Sequence, residues 1–459
     1  MKKSNGVFLK SRRRLGRRNI PATGLAILLP IMLVLVACSG DGEPSATEQS
    51  GNAFGLTFER LDTTLEPEPG ASLVVWENNE ARPFVEAIAK EFTALYGIPV
   101  KMEELRTMDQ LKKLELDGPE GLAADVVTMG QDHLGKAVTS GLFYPNDDFA
   151  EQTRSEHEDA AIQAATYGGE LYGYPIKVMT YAMFYNKALI PEPPKTMEEV
   201  IAFAETFNDP DNNRYAYMFD APYFYFSYPF IGSTGGYIFG NNGTDPNDIG
   251  LNNEGAVKGL QVFAELRDKV LPLSAGDIAS DIKSTLFSEG KVAMNVTGSY
   301  FIDEFRRSGV DFGLAPIPSI AGEPSVALSQ VNSWFVNAYT KYPNAAKLFA
   351  RFASTHTAQL LNYHLTGAVP TQKLAASDPA ISADELTMGF YEQFSRSHSA
   401  PSIPEVQSIW TSMDTAMEVI WEGGDIKQTL DQAAQNIRDI MELNRQNGVT
   451  GLEEKDDLF

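Results

Sequence analysis

The chain is 459 residues long, carries a formal charge of −24 with 43% hydrophobic residues, and contains one cysteine. So strong a negative charge argues against nucleic acid as a partner and against adhesion of the folded body to anionic lipid headgroups. The lone cysteine excludes an internal disulfide and a cysteine-ligated zinc site, while the length and apolar content provide for two domains with large cores.

The first 18 residues hold Lys2, Lys3, Lys10, Arg12, Arg13, Arg14, Arg17 and Arg18 and no acid, and an apolar run over 25–36, interrupted by Pro30, follows. This is the charged and apolar pattern of an export signal. A bilayer-spanning helix needs about 20 apolar residues, so the run is too short to stay as a membrane anchor. It closes on LVAC at 35–38, a lipobox, which predicts removal of a signal peptide 1–37 and acylation of Cys38. SRRRLGR from Ser11 touches the twin-arginine pattern and leaves the export route open. Loss of the eight basic residues takes the formal charge to −32. Acylation of both the Cys38 thiol and its amino group would supply the multiple lipid chains that stable anchoring requires. The sequence after Cys38, SGDGEPSATEQSG and onward to PEPG at 67–70, cannot bury a core, so 38–69 is expected to be a flexible tether.

The body opens on SLVVW at 72–76, a short apolar run that reads as a buried strand. Phe84, Ile88, Phe92 and Leu95 then recur at helical spacing, Gly97 ends them, and 98–102 reads as strand again, completing a β-α-β unit. DVVTM at 125–129 is a further strand, followed by a helix that ends at Gly141. The alternation predicts an α/β fold with a parallel sheet. A second α/β region follows Tyr181, with helices near 197–207 and 253–270 and strands at 292–296 and 311–316. Two amphipathic helices, 403–421 and 425–444, joined by EGG at 422–424, close the chain.

Catalytic and metal signatures are missing from the sequence. His133, His157, His356, His364 and His398 show no HExxH spacing, and neither GxSxG nor a Walker A motif occurs. GSTGG at 232–236 reads as a turn, and DPDNN at 209–213 begins like a calcium loop but lacks its glycine and terminal glutamate. No cofactor is expected. What stands out is YFYFSYPF at 223–230, six aromatics in eight residues. Tyrosine and tryptophan present a flat apolar face with a polar edge, which suits a sugar ring with its apolar face and outward hydroxyls; core packing accounts for about half of such a cluster. Ligands in open α/β sheets sit beyond the carboxyl ends of strands. That places Glu80 and Arg82, after Trp76, in reach of hydroxyls, or else at a solvated helix start. Asp132 after Met129 is either a ligand contact or a helix N-cap. Trp410 and Trp421 share one helix, where tryptophan is mostly core.

LVVWENNEARPFVEAIAKEFTALYGIPV from Leu73, AADVVTMGQDHLGKAVTSGLFYP from Ala123 and YGGELYGYPIKVMTYAMFYNKALIPEPPKTMEEV from Tyr167 lie in one order with YFSYPFIGSTGGYIFG from Tyr225. FSEGKVAMNVTGSY from Phe287, LTGAVPT from Leu365 and IPEVQSIW from Ile403 complete the series. Together they resemble the extracellular solute-binding proteins of ABC importers, most of all the maltose/maltodextrin-binding branch. The resemblance implies a type II periplasmic-binding-protein-like fold with a hinge and an interlobe cleft. It puts lobe I at 70–178 plus 317–370, lobe II at 179–316 plus 371–448, and a tail at 449–459. It places Asn78 and Glu80 on a loop that contacts hydroxyls, Asp132 on an acidic hydroxyl acceptor, Tyr225 and Phe226 on an aromatic platform, and Tyr300 and Trp410 on stacking positions. Trp76, Arg82 and Trp334 complete the expected contacts.

Met129, Ala81, His133, Met179 and Asp414 depart from the branch, standing where its members carry an aromatic, lysine, arginine, glutamate and arginine respectively, which leaves the sugar open. The implied function is capture of a malto-oligosaccharide-like sugar for a membrane permease by a monomer that meets the membrane through lipidated Cys38 alone. The alternatives are another oligosaccharide or a solute sensor that signals to a partner. An enzyme is not expected: a glycoside hydrolase needs two carboxyl groups about 5–10 Å apart across a bond, and Glu80 and Asp132 are the sole acids in adjoining cleft segments.

Overall fold

The computed structural model describes residues 54–446. The signal peptide, Cys38, residues 38–53 of the expected tether and the 449–459 tail lie outside the described residues. Among the described residues no helix is long and apolar enough to cross a membrane.

Strands sort into two main sheets, each with helices packed on it. The first runs Val369–Pro370, Tyr174–Met179, Ala327–Asn337, Val126–Gly130, Leu73–Glu77, Val100–Glu104. The second runs Phe312–Ala315, Tyr181–Asn186, Val292–Gly298, Tyr215–Met218. Thr180 alone separates Tyr174–Met179 from Tyr181–Asn186, so the chain changes sheets there and returns between Ala315 and Ala327. Beyond Pro370 it contributes Phe390, Val406, Ile409, Met413 and Trp421 to the core of the second lobe.

The sheets are mixed, where a parallel sheet was expected. Leu73–Glu77 is parallel to both Val100–Glu104 and Val126–Gly130, but Ala327–Asn337 runs antiparallel to Val126–Gly130 and to Tyr174–Met179. The reason is topological. Tyr174–Met179 carries the chain out of the first lobe, and a strand that re-enters at the same junction must run the opposite way. In the second sheet Tyr181–Asn186 and Val292–Gly298 are likewise antiparallel.

Local sequence explains the helices that orient the site. Arg82–Tyr96 buries Phe84, Val85, Ile88, Ala89 and Phe92 on one face and ends on Gly97 at φ 71, a left-handed cap that glycine takes without steric cost. Met197–Phe207 starts where the Thr196 side chain accepts from the Glu199 N–H, and Glu254–Lys269 where Asn253 accepts from the Ala256 N–H. The single helix expected over 403–421 is instead a 3-10 turn, Pro404–Ser408, followed by Trp410–Trp421.

The described part of the expected tether is not free. Leu56, Phe58, Leu61 and Leu65 pack against the first lobe's core, with the Phe58 ring 5.5 Å from that of Phe352. Arg60 donates to the Leu95 carbonyl at 2.8 Å and lies over the Tyr96 ring, whose hydroxyl accepts from the Leu61 N–H at 2.7 Å. The Glu68 carboxylate accepts from the N–H groups of Asn344 and Ala345 at the start of Pro343–Phe352, where a helix favours negative charge. Composition concealed this strap because its apolar residues are spaced among polar ones and need the lobe's surface to bury them. A chain beginning at residue 70 is expected to melt several degrees below one beginning at residue 54, since each half-buried side chain contributes about 1 kcal/mol. Equal melting points by calorimetry would show that the strap adds nothing.

Candidate functional site

Two loops of the first lobe and two segments of the second carry most of the expected contacts. Past the end of Leu73–Glu77, a 3-10 turn Asn79–Ala81 exposes Glu80. Past Val126–Gly130, the turn Gln131–His133 holds Asp132, 5% exposed, with its Oδ1 3.1 Å from His133 Nδ1. Burial opposes protonation of His133, but the charge and hydrogen bond of Asp132 outweigh it, so the imidazole pKa lies above its ordinary value. In the second lobe the aromatic segment folds as two short helices, Phe224–Ser227 and Pro229–Gly232. Phe224, Tyr228 and Phe230 go into the core, while Tyr225 and Phe226 stay half-buried at its edge. Tyr300 follows the strand Val292–Gly298 and is 46% exposed.

Electrostatic influence links these side chains. Burial raises the Tyr225 hydroxyl, and the neighbouring Tyr300 and Asp132 raise it further. Loss of water around the Tyr300 hydroxyl raises it to about 12, with Asp220 and Glu80 adding to the shift. Charge from the first lobe, at Asp132 and Glu80, is thus felt by phenols of the second, Tyr225 and Tyr300. Carboxylates are acceptors and phenols both donate and accept, a set that can hold a polyhydroxylated ligand. Trp410 opens the helix Trp410–Trp421, its ring 6.1 Å from Phe224 and its indole N–H buried with no partner among the described residues.

The remaining expected contacts lie elsewhere or are already engaged. Trp76 is 1% exposed inside a cluster with Leu111, Leu114 and Met129, and Trp334 is fully buried on the other side of the sheet, its ring 6.1 Å from Phe349. Both expectations are corrected: each ring is packed in core, which leaves no face for a ligand. Asn78 uses its side-chain oxygen to accept from the Thr107 N–H at 2.9 Å. Arg82 is spent on Asn79, Glu86 and Glu104 along the lobe surface. A groove of 620 Å³ is lined among others by Arg154, Ile162, Tyr167, Thr244 and Ile403, and none of the expected residues lines it.

Residues that sequence reading did not place among the ligand contacts organise the junction. Tyr181, fully buried beside the first crossing, donates to the Tyr225 carbonyl at 2.6 Å and accepts from the Leu328 N–H at 3.1 Å. It ties the aromatic segment to both crossing strands. Asp414 accepts from the Phe224 N–H at 2.8 Å and so holds the start of that segment; burial raises its pKa. Gln131 donates to Ser399 Oγ and to the Ala400 carbonyl, and Gln407 donates to the Asp132 carbonyl at 2.6 Å. These partners are 44 to 275 positions apart in sequence, and no local pattern announces them.

A model of the bacterial extracellular solute-binding proteins matches residues 87–389. The chain belongs to this family. It is a solute-binding protein of the two-lobed α/β kind and not an enzyme. It is 34% identical to the galactooligosaccharide-binding protein of Bacillus subtilis (strain 168), over 80% of this chain and 89% of that one. With the Maltodextrin-binding protein MdxE of the same organism it shares 28% identity over 92% of this chain and 97% of the relative. Among solved structures, a cyclo/maltodextrin-binding protein complexed with maltotetraose superposes with a TM-score of 0.72 at 33% identity, covering 82% of this chain and 98% of that one.

Proposed function

We propose that this solute-binding protein captures a malto-oligosaccharide-like sugar outside the cytoplasm and delivers it to the transmembrane subunits of an ABC importer. The observation that carries the reading is the likeness to a cyclo/maltodextrin-binding protein complexed with maltotetraose, and the influence of Asp132 on the Tyr225 hydroxyl and of Glu80 on that of Tyr300 supports it. Ring faces at Tyr225, Phe226, Tyr300 and Trp410 stack on the sugar, and the two carboxylates accept its hydroxyl protons by charge-assisted bonds. The crossings at Thr180, at 316–326 and after Pro370 form the hinge between lobe I and lobe II, and ligand binding biases it toward closure. An affinity near micromolar corresponds to about −8 kcal/mol, within reach of one or two stacked rings and a few such bonds. The protein acts as a monomer, and acylated Cys38 keeps it near the permease and raises its local concentration there.

A galacto-oligosaccharide is the second reading, favoured by the identity to the Bacillus subtilis galactooligosaccharide-binding protein. A thermal-shift screen of the mature protein against malto-oligosaccharides, cyclodextrins, sucrose, xylo-oligosaccharides and galacto-oligosaccharides separates the two. Ligand at about 100 times its dissociation constant adds about 2.7 kcal/mol to the native state, which gives a clear upward shift. A shift with galacto-oligosaccharides alone would replace the malto-oligosaccharide reading, and no shift with any sugar would end the carbohydrate assignment.

A further inference from the structure

Beneath the lobe II wall of the site lies a charge pair with almost no contact with solvent. Lys283, on the helix Ser280–Ser288, is fully buried, and Asp220, just past the strand Tyr215–Met218, is 1% exposed. The Lys283 ammonium holds three partners, two by hydrogen bonds and the third by charge. It donates to Asn295 Oδ1 at 3.1 Å and to the Val296 carbonyl at 2.8 Å, and it lies 3.1 Å from Asp220 Oδ2. Stability does not explain such a pair, because apolar side chains of similar volume are often as stable or more so in its place.

Its position does. Asp220 is the root of the aromatic segment: its carbonyl accepts from the Tyr223 N–H, and Ser227 Oγ donates back to the Ala221 carbonyl. Val296 is the root of the other wall, four residues before Tyr300. The ammonium also stands over the Phe226 ring, 5.7 Å from its centroid, an attractive placement for a cation on an aromatic face. One buried group is therefore tied to the base of both aromatic-bearing segments, by charge to Asp220 and by a hydrogen bond to Val296, and stands over one of their rings.

We propose that Lys283 is a positioning residue for ligand recognition. By clamping Asp220 to Val296 it fixes the spacing between Phe226 and Tyr300, and that spacing determines which rings can stack between the lobes. The inference rests on the oligosaccharide-binding reading above.

The test pairs Lys283→Met with Asp220→Asn, so that no unpaired charge remains buried, and titrates maltotriose and galactotriose separately by calorimetry. The expected result is an affinity about tenfold or more below wild type for the bound sugar, in a protein that still unfolds cooperatively. In protein that already carries Tyr300→Ala, the same pair of changes is expected to cost less than about threefold, because the ring whose place the clamp sets is gone. Undiminished affinity, or an equal loss with and without the Tyr300 ring, would overturn the proposal and leave Lys283 a structural residue. Should the paired variant fail to fold, Asn295→Ala removes one of the ammonium's two hydrogen-bond acceptors, with an expected loss of about threefold that again vanishes without Tyr300; no loss overturns the proposal. Failure of the underlying reading looks different, since the wild-type protein would then bind neither sugar.

Discussion

Replacing Trp410 by alanine is expected to weaken oligosaccharide binding by about tenfold or more while the protein remains folded. Trp410 sits at the start of its helix, half-buried against Phe224, at the edge of the second lobe's core rather than inside it. Trp421, eleven positions on, is fully buried, donates to the Leu273 carbonyl at 2.8 Å, and meets the rings of Phe219 and Phe263 edge-on. The second tryptophan holds the lobe together; the first has a ring that a sugar can cover. Full burial of a large apolar side chain is worth about 1.5–3 kcal/mol, and a tenfold loss of affinity needs about 1.4 kcal/mol of it. Calorimetric titration of the Trp410→Ala protein, with its melting curve measured alongside, checks the point. Wild-type affinity in the variant would remove Trp410 from the site.

Asp132→Asn is expected to cost between about tenfold and a hundredfold in affinity, because a hydrogen bond to a charged group is worth about 1.5–3 kcal/mol. Asparagine keeps the shape of the side chain and leaves the Asp132 backbone carbonyl to hold Gln407, so the change removes charge and little else. The same substitution reports on His133. In the wild-type protein the pKa of that imidazole is raised, so the pair contributes stability below the ordinary value of 6.5 and loses it as pH rises through the raised one. Without the carboxylate, burial governs the ring and lowers its pKa, which an NMR titration of His133 would read directly. An unchanged His133 titration would show that Asp132 is not its controlling partner, and unchanged sugar affinity would show that the carboxylate does not meet the ligand.

Much of the architecture was legible because it is written locally. The helix Met197–Phe207 and the C-cap at Gly97 follow from periodicity and turn chemistry over a few residues. Of the proposed site, Asp132 follows a strand end, Tyr225 and Phe226 lie half-buried on a short helix, and Tyr300 follows a strand, positions that local pattern could indicate. Trp76 and Trp334 did not, because a tryptophan on a strand gives no sign of which face of the sheet meets helices and which end meets the other lobe. The strap over residues 54–69 was hidden for a related reason: scattered apolar residues read as loose until a surface to receive them is known.

By itself the sequence determined the alternation of strands and helices, the strong acidity of the chain, and the order of motifs that places it among the solute-binding proteins. Only the tertiary structure decided which aromatics lie in the core and which at its edge, and that Tyr181 and Asp414 bond to the backbone of the aromatic segment. Side-chain periodicity is a property of neighbours within a few residues, whereas a cleft is built from carboxylates and rings whose partners lie tens to hundreds of positions away, brought together by three crossings of one junction.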